Sequence, residues 1–135
     1  MKTEFLGKTL SGPFTIPSGI VTTATSIIQA MFDHMPQIGV ITTKSVGPAP
    51  RAGNREPVYS QYAPGCFVNA VGLTNPGAEA SAEAMSKLRI PADRFLLVSI
   101  FGGSIEEFVQ VAKIMAPVAD GLELNLSCPQ DRKST

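Results

Sequence analysis

The stretch RFLLVSIFGGSIEEFVQVAKIMAPVADGLELNLSCPQ, Arg94 to Gln130, reads as strand, helix, strand. Phe95 to Ile100 is an aliphatic and β-branched run cut off by paired glycines, Gly102 and Gly103. Ser104 and Glu107 then form a capping box, and Ile105, Phe108, Ala112 and Met115 recur at helical spacing. From Gly121 the period changes to alternation, with Leu122, Leu124 and Leu126 separated by polar residues over about 121–126. Two such strands on either side of a helix, with no hairpin signal between them, run parallel. The last strand finishes in an amide, a hydroxyl and a thiol, Asn125, Ser127 and Cys128, before Pro129 stops it.

Upstream the same alternation repeats. TEFLGKTL predicts a small hairpin around Gly7 and Lys8, and Phe14–Ile16 a first strand broken by Pro17 and Gly19. In residues 24–35, Ile27, Ile28, Met31 and Met35 fall on one helical face. IGVITTK supplies a second strand over 38–43. In NPGAEASAEAMSKL, Asn75 is placed as a helix cap with Pro76 at the first helical position. Between that strand and its helix lie residues 44–75, rich in Pro and Gly, with strand-like pieces at 57–60 and 66–71. Irregular connections of that length in a compact domain usually line binding sites. The near-continuous apolar strands are those of a sheet covered on both faces. Two architectures fit, an open doubly wound sheet or part of a (β/α)8 barrel. No glycine-rich phosphate loop follows any strand, which weakens the nucleotide-binding versions of the first.

Composition narrows the function. The 135 residues are 44% hydrophobic and 16% charged, enough for one cored domain and unlike a disordered chain. Eleven basic and eleven acidic side chains cancel, so charge gives no case for nucleic acid or an anionic membrane. No apolar run approaches the roughly 18 residues of a membrane span. Cys66 and Cys128 stand far apart with no CxxC or His-rich company, which argues against zinc and gives no disulfide framework. A cytoplasmic, reducing location is the expectation.

Each parallel strand ends in small or polar groups: Pro17, Ser18 and Gly19; Thr42, Thr43, Lys44 and Ser45; Ser99 with the two glycines; Asn125, Ser127 and Cys128. Ligands of parallel α/β proteins bind at the carboxyl ends of strands. Singly, each residue has a plainer reading: a solvated lysine, a turn-forming asparagine, a cysteine acting as a small hydrophobe. Together they would have to hold on one rim. In the loop, NAVGLTN places the amides of Asn69 and Asn75 around Gly72, which suits either a planar ligand with carbonyl and N–H groups or a turn.

TTKSVGPAPRAGNREP, NAVGLTNPG and ELNLSCP, with the N-terminal hairpin and IPSG, resemble the dihydroorotate dehydrogenases, in their soluble, cysteine-using class. The resemblance runs over nearly the whole sequence. It implies a (β/α)8 barrel with FMN across the top of the strands. Ser18 and Gly19 match the turn along the flavin; Lys44 matches the lysine contacting both flavin and pyrimidine carboxylate, with Ser45 beside it on the flavin. Asn69 matches the first asparagine of the pyrimidine loop, and Val71, Gly72 and Leu73 the residues whose backbone meets the orotate carboxylate. Ser99 falls where the third strand approaches the flavin, Asn125 matches an asparagine touching flavin and substrate, and Cys128 the catalytic base. Gln130 stands where the family carries a further pyrimidine-binding asparagine. That departure leaves open a related flavin-barrel oxidoreductase acting on another pyrimidine.

A (β/α)8 barrel takes roughly 250 residues, and four strands of eight are legible here. The expectation is the N-terminal half of an FMN-dependent barrel domain over residues 1–135, truncated, with four parallel strands, an N-terminal hairpin and a long insertion before the second helix. The family's flavin-binding lysine on the fifth strand and its phosphate cradle are absent from the sequence. The activity implied is oxidation of dihydroorotate to orotate in pyrimidine biosynthesis, belonging to a full-length enzyme, with this chain alone inactive. An NAD-using form would need an iron–sulfur flavoprotein subunit. The competing expectation is a non-catalytic half-barrel that self-associates as a homodimer through its open edges.

Overall fold

The computed structural model describes residues 3–126. The chain opens with an antiparallel hairpin, β1 (Thr3–Phe5) and β2 (Lys8–Leu10), turning through Leu6 and Gly7 at positive φ. Next come β3 (Phe14–Ile16), α1 (Thr25–His34) and β4 (Ile38–Thr42). The long connection contains a second hairpin, β5 (Tyr59–Ala63) and β6 (Cys66–Asn69), before α2 (Ala78–Met85). β7 (Phe95–Ile100), α3 (Ile105–Met115), a 3₁₀ turn (Ala116–Val118) and β8 (Gly121–Leu124) complete the order. The central sheet is four-stranded and parallel in the order β3-β4-β7-β8, each strand paired with its chain neighbour. Among the described residues no helix is long and apolar enough to cross a membrane.

The two faces of the sheet do different work, and β7 shows it residue by residue. Leu96, Val98 and Ile100 pack with Ile28, Met31 and Phe32 of α1, Ala78 and Met85 of α2, and Val111 and Met115 of α3. Phe95 and Leu97 turn the other way. There Phe95 joins Leu10 and Val40 in a second, smaller cluster under the N-terminal hairpin, and the Phe5 ring meets its edge at 5.1 Å. Side chains alternate across a strand, so Ser99 shares the hairpin's face but sits at the opposite, C-terminal end. The hairpin end is pinned by Lys8, whose ammonium pairs with Asp120 at 2.9 Å, and by the buried Arg94 guanidinium, which donates to Ser11 Oγ and to Ile38 O.

Several elements depart from the sequence expectation. On α1 the buried stripe is Ile28, Met31 and Phe32, while Ile27 and Met35 are exposed. Helix α2 starts at Ala78, with Gly77 at φ 86° as its cap, and not at Pro76; Asn75 Oδ1 accepts from the Gly77 N–H at 2.9 Å. On α3 the capping hydroxyl is as expected, Ser104 Oγ accepting from Glu107 N at 3.3 Å; the Glu107 carboxylate takes the Gly103 N–H at 2.7 Å. Ile105 is exposed and Val111 fills the core position instead. Leu124 and Leu126 are exposed too, since nothing described covers the outer edge of β8.

Candidate active site

The C-terminal ends of the four parallel strands meet around Ser45. This residue follows β4 and is 5% exposed. Its Oγ lies 2.9 Å from Ser99 Oγ on β7, accepts from Asn125 Nδ2 just past β8 at 3.0 Å, and approaches Ser18 Oγ after β3 at 3.4 Å. Backbone bonds run in parallel: Val46 N to Ser99 O at 2.9 Å, and Asn125 N to Ile100 O at 2.9 Å. A chain of small polar side chains thus crosses the whole sheet at one level. Each member is short, so the groups can bond directly where larger side chains would push the strand ends apart.

Above this chain opens a cleft of about 420 Å³. It is lined by Ser18 and Gly19 after β3, Lys44 and Ser45 after β4, Asn125 after β8, and Asn69, Val71 and Leu73 of the long connection. Gly19 has φ 82°, and the nearest atom to where a Cβ would stand is Lys44 Nζ, 4.0 Å away. The turn therefore presents bare backbone beside an ammonium. Among the described residues no carboxylate pairs with Lys44. A cation without a carboxylate partner among the described residues, in a cleft also lined by two amides, suits a small planar anion bearing carbonyl and N–H groups.

The 69–75 wall is held from behind. Asn54 donates through Nδ2 to Ala70 O at 2.7 Å and through its backbone N–H to Val71 O at 3.1 Å. Gly72, at φ 81°, passes so close that a Cβ would stand 2.8 Å from Asn54 N. Asn75 is buried and fully committed: Oδ1 accepts from Gly77 N at 2.9 Å and Gly47 N at 3.2 Å, and Nδ2 donates to Leu73 O at 2.8 Å. It shapes the wall and is neither a helix cap nor a ligand group.

Of the residues singled out in the sequence, Ser18, Gly19, Lys44, Ser45, Asn69, Val71, Leu73 and Asn125 converge on this one cleft. Ser99 lies behind Ser45, fully buried, and Gly72 lies behind the loop wall. Cys128 and Gln130 fall outside the described residues. The cleft also contains two residues that sequence reading missed, Ile20 and Tyr59. The wall at Tyr59 depends on the pairing of β5 with β6, which no local pattern announces. Among the described residues, the two carboxylates with displaced titration belong to the outer helices. A hydrogen bond from Lys87 holds Glu83 below its usual range, and bonds from its own backbone N–H and from Ser104 do the same for Glu106.

Comparison with known proteins agrees with the geometry. The sequence model of the dihydroorotate dehydrogenase family matches residues 1–134. The chain belongs to that family. It is 37% identical over 129 residues to the catalytic subunit of dihydroorotate dehydrogenase B (NAD(+)) of Pyrococcus abyssi, covering 96% of this chain and 42% of that protein. The corresponding subunit of Methanocaldococcus jannaschii is 36% identical over 132 residues, with the same shares covered. The crystal structure of a dihydroorotate dehydrogenase of Eimeria tenella in complex with ferulenol superposes with a TM-score of 0.78 at 20% identity, over 96% of this chain and 37% of that one. The four-stranded parallel sheet with its helices is thus half of an α/β barrel, and the chain spans less than half the length of the relatives it matches.

Proposed function

We propose that residues 1–135 form the N-terminal half of an FMN-dependent barrel domain that oxidises dihydroorotate to orotate in pyrimidine biosynthesis. The observation that carries this reading is the meeting of Ser18, Lys44, Asn69 and Asn125 in one cleft at the strand ends. The donor set fits a flavin ring: bare backbone at Gly19, hydroxyls at Ser18 and Ser45, and an amide at Asn125, all beside open space.

Oxidation takes a proton from C5 of the substrate and a hydride from C6, and FMN, when bound, supplies the hydride acceptor. The chain supplies the rest. Lys44 offsets the charge of the substrate carboxylate, and the backbone of Val71 to Leu73 closes around it. The amides of Asn69 and Asn125, with Gln130, meet the ring's carbonyl and N–H groups. Cys128 takes the C5 proton as thiolate. The names of its relatives, catalytic subunits of an NAD(+) enzyme, support NAD(+) as terminal acceptor and a second subunit; in this reading that subunit is an iron–sulfur flavoprotein. A reducing cytoplasm suits the free thiols this requires. The test is anaerobic mixing of the full product of the reading frame with dihydroorotate. Bleaching of the visible flavin band is expected; a flavin that stays oxidised overturns the proposal.

One observation favours a second reading. The sheet has two open edges, and large apolar side chains stand exposed on both, Phe14 on β3 and Leu124 on β8. Two copies pairing edge to edge would cover them. Light scattering on the 135-residue chain separates the readings: a colourless, stable dimer supports this one, and a yellow chain refutes it.

A further inference from the structure

Tyr59 lines the cleft from the long connection, and neither the family motifs nor the central sheet accounts for it. It begins β5, and the antiparallel register sets it directly opposite Asn69 on β6. Directly paired residues project to the same face of a ladder, so the phenol and the Asn69 carboxamide stand side by side on the cleft wall. The ring is braced from within the hairpin by Phe67, with centroids 5.3 Å apart and planes inclined by 18°. A stack occupies one face of each ring. Tyr59 nevertheless remains 60% exposed, so the stack leaves much of the ring open, on a residue that lines the cleft beside Asn69.

We propose that Tyr59 is a specificity-determining residue of this cleft: its free face is the wall against which the six-membered ring held by Asn69 packs. This rests on the reading above. The chemistry gives the wall a preference. Orotate is flat, whereas dihydroorotate is puckered at its two saturated carbons, and an aromatic face makes fuller contact with the flat ring. Tyr59 therefore favours the ring as it flattens, and the product more than the substrate. The braced geometry adds to this, because a ring already fixed by Phe67 loses little freedom on contact.

The experiment is equilibrium titration of orotate into the full product of the reading frame, followed by the shift of its visible absorbance and by calorimetry. Alanine substitution of an aromatic side chain removes the stacking of a base on it. Tyr59→Ala is accordingly expected to weaken orotate about tenfold, with a smaller rise in KM for dihydroorotate. Tyr59→Phe retains wild-type affinity, and Tyr59→Leu, apolar but not flat, behaves as the alanine variant. Tyr62, exposed on the same hairpin and not part of the cleft, is the control, and Tyr62→Ala leaves orotate binding unchanged. Wild-type affinity in Tyr59→Ala or in Tyr59→Leu overturns the proposal while the enzyme assignment stands. Equal losses in Tyr59→Ala and Tyr62→Ala overturn it in favour of a hairpin that acts on the cleft only through its own stability. A wild-type flavin that dihydroorotate cannot reduce removes the assignment itself, and this inference with it.

Discussion

Asn125 Nδ2 donates to Ser45 Oγ across 3.0 Å, joining the last parallel strand to the second. With one amide hydrogen committed to a buried hydroxyl, the orientation of the carboxamide is settled, and its Oδ1 is the acceptor left for a ligand N–H. The Ser45 hydroxyl is in turn shared with Ser99. The positioning of a site residue is therefore written into the sheet beneath it.

Removing that hydroxyl tests the arrangement. Ser45→Ala leaves the Ser99 hydroxyl and the Asn125 amide short of a partner, and a buried polar group so stranded costs about 1–3 kcal/mol. Urea denaturation is expected to show an unfolding free energy lower by that amount, read as an earlier midpoint at unchanged m. Orotate affinity falls as well, because the Asn125 amide is free to turn. A variant as stable as the parent would mean that the hydroxyl chain is not formed in solution.

Lys44 is the cation of the cleft, and its contribution should be confined to charged ligands. A charge-assisted hydrogen bond is worth roughly 1.5–3 kcal/mol. Lys44→Ala is expected to weaken orotate by about 10- to 100-fold, at 1.4 kcal/mol per tenfold. A neutral pyrimidine without the carboxylate should bind parent and variant alike. Parallel calorimetric titrations decide the matter, and equal losses for both ligands would place the ammonium elsewhere.

Gly72 combines a φ of 81° with a backbone approach that leaves no room for a methyl group beside Asn54. Gly72→Ala must shift the Asn54 backbone or move the wall that carries Asn69. The expected cost is about 1–3 kcal/mol, as for other strained backbone positions. It should appear as a lower melting temperature together with weaker orotate binding. Unchanged melting would show that the wall yields freely.

Cys128, beyond the described residues, is assigned the C5 proton. Cys128→Ala is expected to slow single-turnover flavin reduction by about 10²–10⁴-fold while flavin stays bound, as for loss of a general base. Cys128→Ser should recover part of the rate at high pH, where a weaker acid begins to ionise. Stopped-flow absorbance measures both, and an unaffected rate removes the thiol from the role.

The parts of this fold that were legible in the sequence are those fixed by local chemistry. β4 and β7 are apolar runs bounded by polar strand ends, and α3 announces its start through Ser104 and Glu107. The strand-end residues of the cleft were legible because a parallel sheet brings successive C-terminal ends to one rim. What stayed hidden depends on partners distant in sequence. Asn75 has the residue type and position of a helix cap, yet besides the Gly77 N–H it bonds Gly47 and Leu73, distant or preceding partners that the helix signal does not encode, and α2 starts at Ala78. The exposure of Ile105 reflects where α3 lands on the sheet, which its own periodicity does not encode. Tyr59 reaches the cleft only through the register of a hairpin whose strands are largely exposed.

The hairpin of Thr3 to Leu10 closes the sheet's lower end, while the cleft occupies the upper one. Substitutions around Leu10, Val40 and Phe95 reach the chemistry only through the length of the strands, and conservation of a barrel's lower face generally serves stability. The lower end can thus be re-packed for heat tolerance without touching any residue that lines the cleft.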